Sequence, residues 1–105
     1  MFVIVKRFEI EEAYKQNLLA RLKAKNALIH FSKFIKREIL TYQSKQNHSV
    51  IEMRIYFKDK KGYYQWEGSK EHILMHKQKT KKPQGLISVT HQQMTHLHED
   101  NYEAL

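Results

Sequence analysis

Apolar and polar positions alternate at the start of the chain. Phe2, Ile4, Phe8 and Ile10 fall on one parity with Lys6 among them, against Val3, Val5, Arg7 and Glu9 on the other, which predicts a strand over 2–10. Lys6 therefore shares a face with four apolar residues. From Glu11 the period lengthens: Ala13, Leu18, Leu22 and Ile29 recur at helical spacing. Glu11 and Glu12 lead and basic residues accumulate later, so a helix is expected from about residue 11 to about residue 26. Two β-rich runs, 34–41 and 50–57, flank the polar segment 42–49 and read as an antiparallel hairpin. Ile35, Ile39, Met53 and Ile55 oppose Phe34, Leu40, Val50 and Tyr56, so both faces of these strands ask for cover. Asp59 and Ser69 stand as N-caps of two short helical pieces, 60–66 and 70–79, broken at Gly68. A loop over 80–85 leads to a last strand, 86–97, and the acidic tail beyond His98 is expected to fray. The order β, α, β, β, α, β predicts an α+β, ferredoxin-like antiparallel sheet with helices on one face. A second subunit would cover the other face, so a homodimer is expected.

Composition narrows the classes. The 105 residues leave room for one domain, 1–105, with 41% apolar residues to build its core. No apolar stretch approaches the roughly 20 residues of a membrane span, and the N-terminal segment turns charged too soon for a signal peptide, which predicts a soluble, cytoplasmic protein. The absence of cysteine excludes disulfides, iron–sulfur clusters, thiolate zinc sites and a cysteine nucleophile. A net charge of +8 favours anionic partners without choosing among nucleic acid, anionic lipid and a carboxylate-bearing small molecule.

The segment from Gly62 to His76 carries the most chemistry. On the helix opening at Ser69, His76 follows His72 by four residues and borders an apolar stripe that includes Ile73 and Met75. Such a histidine is either an ordinary half-buried helix residue or a neutral imidazole facing a cavity against the sheet, able to bind iron through one ring nitrogen. The pattern Tyr63-Tyr-Gln-Trp66, Ser69 and His76-Lys77 resembles the motif of IsdG-like haem-degrading monooxygenases, a branch of the antibiotic-biosynthesis-monooxygenase domain superfamily. The resemblance extends to the opening strand, to Phe34-Ile-Lys-Arg-Glu-Ile-Leu40, to the third strand ending in Tyr56-Phe57 and to the terminal strand.

That resemblance implies a dimeric α+β barrel with one haem per subunit between helices and sheet. It implies His76 as axial ligand and Trp66 as the bulky residue that ruffles the porphyrin. The family places an asparagine near the middle of the first strand; the position here is Lys6, with Arg7 beside it, and these two would contact the haem or its distal ligand. A lysine there could pair with a propionate, donate to bound oxygen, or snorkel out of the sheet edge. The chain also lacks a Pro-Gly turn before its second strand, having His30-Phe-Ser-Lys-Phe34 instead. The implied activity is oxidative opening of haem with molecular oxygen and an external electron donor, releasing iron. The alternatives are a haem carrier or sensor that does not cleave, and a cofactor-independent monooxygenase acting on an electron-rich aromatic or quinol, with the pocket histidine as base.

Other signals are weaker. His72 and His76 could clamp a metal from one helix face, but a third ligand is missing. His91, His96 and His98 form no cluster and read as solvated. The basic residues at 77–82 and along the first helix read as solvated faces, serviceable as a rim for haem propionates. Nucleic-acid binding competes for the same charges, yet the aromatics do not assemble into a recognition-module signature. No phosphate-binding glycine loop, paired-carboxylate site or activated serine is evident.

Overall fold

The computed structural model describes residues 1–77 and 81–105. Strand β1, Phe2–Glu11, occupies the middle of a four-stranded antiparallel sheet. It pairs with β3, His48–Phe57, from Phe2↔Phe57 to Glu11↔His48, and with β4, Leu86–Thr95, from Phe2↔Thr95 to Ile10↔Leu86. Strand β2, Phe34–Gln43, adds to the far side of β3, which completes the order β2-β3-β1-β4 of a ferredoxin-like α+β fold. The hairpin turn is shorter than the polar segment suggests. Tyr42 pairs with Val50 and Gln43 with Ser49: the ladder takes up the exposed Tyr42 and Gln43, and the buried Ser49 donates its hydroxyl to the Glu12 carboxylate. Only residues 44–47 turn the chain, with Asn47 in the left-handed region at φ 59°.

The first helix is shorter than its periodicity predicts. Glu11 belongs to β1, where its N–H donates to the Gly85 carbonyl at 3.0 Å. One 3₁₀ turn at Glu12–Tyr14 then leads into α1, Lys15–Lys23. Ala24 is extended, and a second 3₁₀ turn, Ala27–His30, follows, capped by the Asn26 side chain accepting from the Leu28 N–H at 2.9 Å. This break turns Leu28, rather than Ile29, into the core. Gly85 has φ 79°, and a Cβ there would stand 2.3 Å from the Tyr14 ring, so the approach to β4 requires glycine.

Both anticipated caps form. Asp59 accepts from the Gly62 N–H at 2.7 Å and opens α2, Lys60–Glu67. Ser69 accepts from the His72 N–H at 3.2 Å and opens α3, Lys70–Lys77. The expected extension of this helix over 78–79 lies outside the described residues. Strand β4 ends at Thr95 rather than Leu97, and residues 96–105 have no regular structure.

The helices lie on one face of the sheet. Phe2, Ile4, Phe8 and Ile10 of β1, with Ile51, Met53, Ile55 and Phe57 of β3, meet Leu18, Leu28 and Trp66 in one buried cluster. Burial of each such side chain contributes about 1.5–3 kcal/mol. On the opposite face Val3, Val5 and Tyr56 form a small second cluster, while Leu40, Tyr42 and Met94 are exposed. No helix among the described residues is long and apolar enough to cross a membrane.

Candidate functional site

A cavity of about 480 Å³ opens between the helices and the covered face of the sheet. Its floor is the middle of β1 and β3, where the alternation that buries Ile4 and Phe8 also turns Lys6 inward beside Met53 and Ile55. Its wall is the α2–α3 corner, which supplies Trp66, His72, Met75 and His76.

The corner is anchored at both ends. Tyr63 packs its ring 5.4 Å from that of Phe2 and 5.5 Å from that of Phe57, fixing α2 to the sheet. Burial, reinforced by a hydrogen bond to Glu67, pushes the Tyr63 phenol up to about 12, so it stays a neutral donor. At the helix break the Trp66 carbonyl accepts twice from Ser69, from its N–H at 3.0 Å and its hydroxyl at 2.7 Å. The indole is thereby held at 6% exposure, 5.7 Å from the Phe31 ring and 5.4 Å from the His72 ring. His72 is half-buried; its Nδ1 lies 3.0 Å from the Glu67 carbonyl oxygen and 3.5 Å from the Glu67 carboxylate. His76, one turn on, is exposed, with its Nε2 2.8 Å from His72 Nε2.

The cavity is positively charged. Besides Lys6 it is lined by Arg21 and Arg37, and no carboxylate occurs among its described lining residues. The Arg37 guanidinium donates to the carbonyls of Lys23 at 3.2 Å and Ala24 at 3.5 Å, satisfying the end of α1. Arg21 donates to the Lys81 carbonyl at 3.3 Å. Carbonyl partners fix these groups while leaving their charge in place. An apolar slot with a cationic rim suits a flat, apolar, anionic ligand.

Of the residues singled out in the sequence, the fold brings Lys6, Trp66 and His76 to one cavity from three separate elements. Arg7 does not join them. Strand alternation sends it to the opposite face, where its Nε donates to Glu52 at 2.7 Å, so its assignment as a haem-contacting residue is corrected. Arg37 was missed, although its parity with Ile39 carries the same signal as Lys6 among the apolar residues of β1. His91 is exposed, as its sequence context suggests, but it pairs across the strands with Lys6 and so stands on the site's side of the sheet. His96 and His98 lie beyond β4, near Glu99 and Asp100 respectively. Among the described residues no three metal-ligating side chains converge.

No protein-family model and no curated protein matches the sequence. Solved structures do match. A candidate antibiotic biosynthesis monooxygenase from Bacillus cereus superposes with a TM-score of 0.82 at 20% identity, covering 98% of each chain. The heme-degrader MhuD from Mycobacterium tuberculosis, solved with two hemes in its active site, superposes with a TM-score of 0.70 at 11% identity over 96% of this chain and 100% of its own. SnoaB, a cofactor-independent oxygenase from Streptomyces nogalater, gives 0.59 at 14% identity over 93% and 94%. The chain therefore has the fold of the antibiotic biosynthesis monooxygenases. That fold houses both a heme degrader and an oxygenase without cofactor.

Proposed function

We propose that the protein is a homodimeric, cytoplasmic haem-binding protein that degrades haem oxidatively, with His76 as the axial ligand. The observation that carries this reading is the convergence of Lys6, Trp66 and His76 on one cationic cavity. The residues fit haem as substrate. Met53, Ile55 and Met75 offer apolar contact, His76 an imidazole, and Lys6, Arg21 and Arg37 positive charge toward the propionates. Haem iron supplies the centre at which oxygen is activated, with electrons from an external donor. This chain's own part is to bind, to orient and to press: Trp66 is wedged between Phe31 and His72 and cannot yield easily to a ligand beside it. Lys6 offers a hydrogen-bond donor from the sheet floor. The fold shared with MhuD supports the reading.

A second reading is favoured by the histidine pair on the cavity wall. In a cofactor-independent oxygenase His76 would act as base toward an electron-rich aromatic or quinol, and the fold shared with SnoaB makes that coherent.

A haemin titration, then ascorbate or a reductase in air, tests both. A saturating Soret band lost in His76→Ala, and decaying in wild type with release of chelatable iron, supports haem degradation. A band that persists under reductant leaves a carrier or sensor. No band removes haem and favours the second reading; if oligonucleotides then bind with steep salt dependence, the partner is nucleic acid. Trp66→Phe should bind haemin but degrade it more slowly, and equal rates would remove the ruffling role. Lys6→Ala should retain haemin and lose turnover if Lys6 is the distal donor. For the proposed dimer, the exposed Leu40, Tyr42 and Met94 of the open face would make the contact, and Leu40→Arg should shift the mass measured by light scattering to that of one chain.

A further inference from the structure

We propose that Trp66, Tyr63 and Tyr64 form a redox relay that carries an oxidising equivalent from the cavity to the protein surface. Trp66 is the only tryptophan of the sequence and lines the cavity at 6% exposure. Tyr63 precedes it by three residues on α2, a spacing that makes the two side chains neighbours on the helix surface. The packing around them agrees, since Trp66, Phe31, Phe57 and Tyr63 follow one another with ring centroids 5.7, 6.5 and 5.5 Å apart. Tyr64 continues the line. Its ring lies 5.2 Å from that of Tyr63 and the residue is 53% exposed. The phenylalanines resist oxidation and serve as packing. The indole and the two phenols are oxidisable, and they run in order from buried to exposed.

Each transfer has a place for its electron and its proton. An oxygen-derived one-electron oxidant that misses the substrate takes an electron from the Trp66 indole. Tyr63 returns that electron, and its phenolic proton passes to the Glu67 carboxylate, to which the hydroxyl is hydrogen-bonded. Tyr64 then reduces the Tyr63 phenoxyl, which regains its proton from Glu67, while Tyr64 sheds its own proton to solvent. A soluble thiol or ascorbate resets Tyr64 by giving it one hydrogen atom. One electron has entered the cavity and one proton has left at the surface, and the cavity wall is spared oxidation. The oxidant is the one the oxygenase reading supplies, so the proposal rests on that reading, but the relay can be measured without haem or substrate.

Pulse radiolysis with azide radicals, which oxidise indole in preference to phenol at neutral pH, reads the relay in the protein alone. The indolyl absorption should decay as a phenoxyl absorption grows, at a rate independent of protein concentration. Tyr63→Phe, which keeps the ring and its packing, should abolish that phase, whereas Tyr64→Phe should retain it. An indolyl signal that decays without phenoxyl growth, or a phase unchanged in Tyr63→Phe, overturns the proposal. Haemin-loaded protein treated with hydrogen peroxide should show a tyrosyl radical by electron paramagnetic resonance and dityrosine cross-links between molecules, and Tyr64→Phe should lose the cross-links. Bound haemin without the tyrosyl signal, or cross-links retained in Tyr64→Phe, overturns it equally. If wild type binds no haemin, the haem reading fails and pulse radiolysis alone decides the relay.

Discussion

The two faces of one strand treat charge in opposite ways. On the open face Arg7 and Arg54 each approach the Glu52 carboxylate, at 2.7 Å and 2.6 Å, and Arg7 donates in addition to the Gln92 side chain at 3.2 Å. Burial alone would raise the Glu52 carboxyl, but hydrogen bonds from Arg54 and Arg7 and their charges outweigh it and hold the group below its usual range. On the covered face Lys6, Arg21 and Arg37 surround an apolar cavity that no described carboxylate lines. A face that settles its charges internally is organised for packing. One that holds cations by carbonyl groups, around empty volume, is organised for an anionic ligand.

Trp66→Ala empties the wall of the cavity and should cost about 3–5 kcal/mol in urea unfolding. A loss below about 1 kcal/mol would mean that the covered face does not depend on this wedge. On the open face Glu52→Gln removes the only carboxylate between two guanidiniums described there and should cost about 1–2 kcal/mol. The same residue carries a pH dependence. Because the folded pKa lies below the unfolded value, near 4.3, the contribution is complete above that value and is lost as pH falls through the folded pKa. Glu52→Gln should accordingly flatten the acid limb of a stability–pH curve, and an unchanged limb would remove Glu52 from acid unfolding. Asp59→Ala, which deletes the cap of α2, should cost about 1 kcal/mol by thermal unfolding while leaving the open-face network unaffected. Gly62→Ala tests the seat of the same helix: its Cβ would fall 2.7 Å from Lys33 Cβ, so the overpacking outweighs the gain in helix propensity and a net loss of stability, rather than a gain, should appear.

Local rules carried much of the site. Alternation places Lys6 on an apolar face, and a Ser or Asp before a helical run makes the caps at Asp59 and Ser69, since both depend only on neighbours along the chain. Element boundaries were less legible. The Glu11 N–H is claimed by Gly85, a partner far along the sequence, and that contact ends the proposed helix before it begins. Arg7 illustrates the same limit: adjacency to Lys6 suggested a shared role, yet one step along a strand reverses the face.

Periodicity and capping act over short range, and they sufficed for the strand and helix order, the ferredoxin-like class, the lysine facing the core and the Trp66 to His76 motif. Tertiary structure alone decided that Arg37 and Arg21 join Lys6, that His91 pairs with it across the sheet, and that His72 and His76 meet through Nε2. Strand register, the length of α1 and the choice of ring nitrogen are set by hydrogen-bond partners distant in sequence or by side-chain rotation, and neither leaves a periodic trace along the chain.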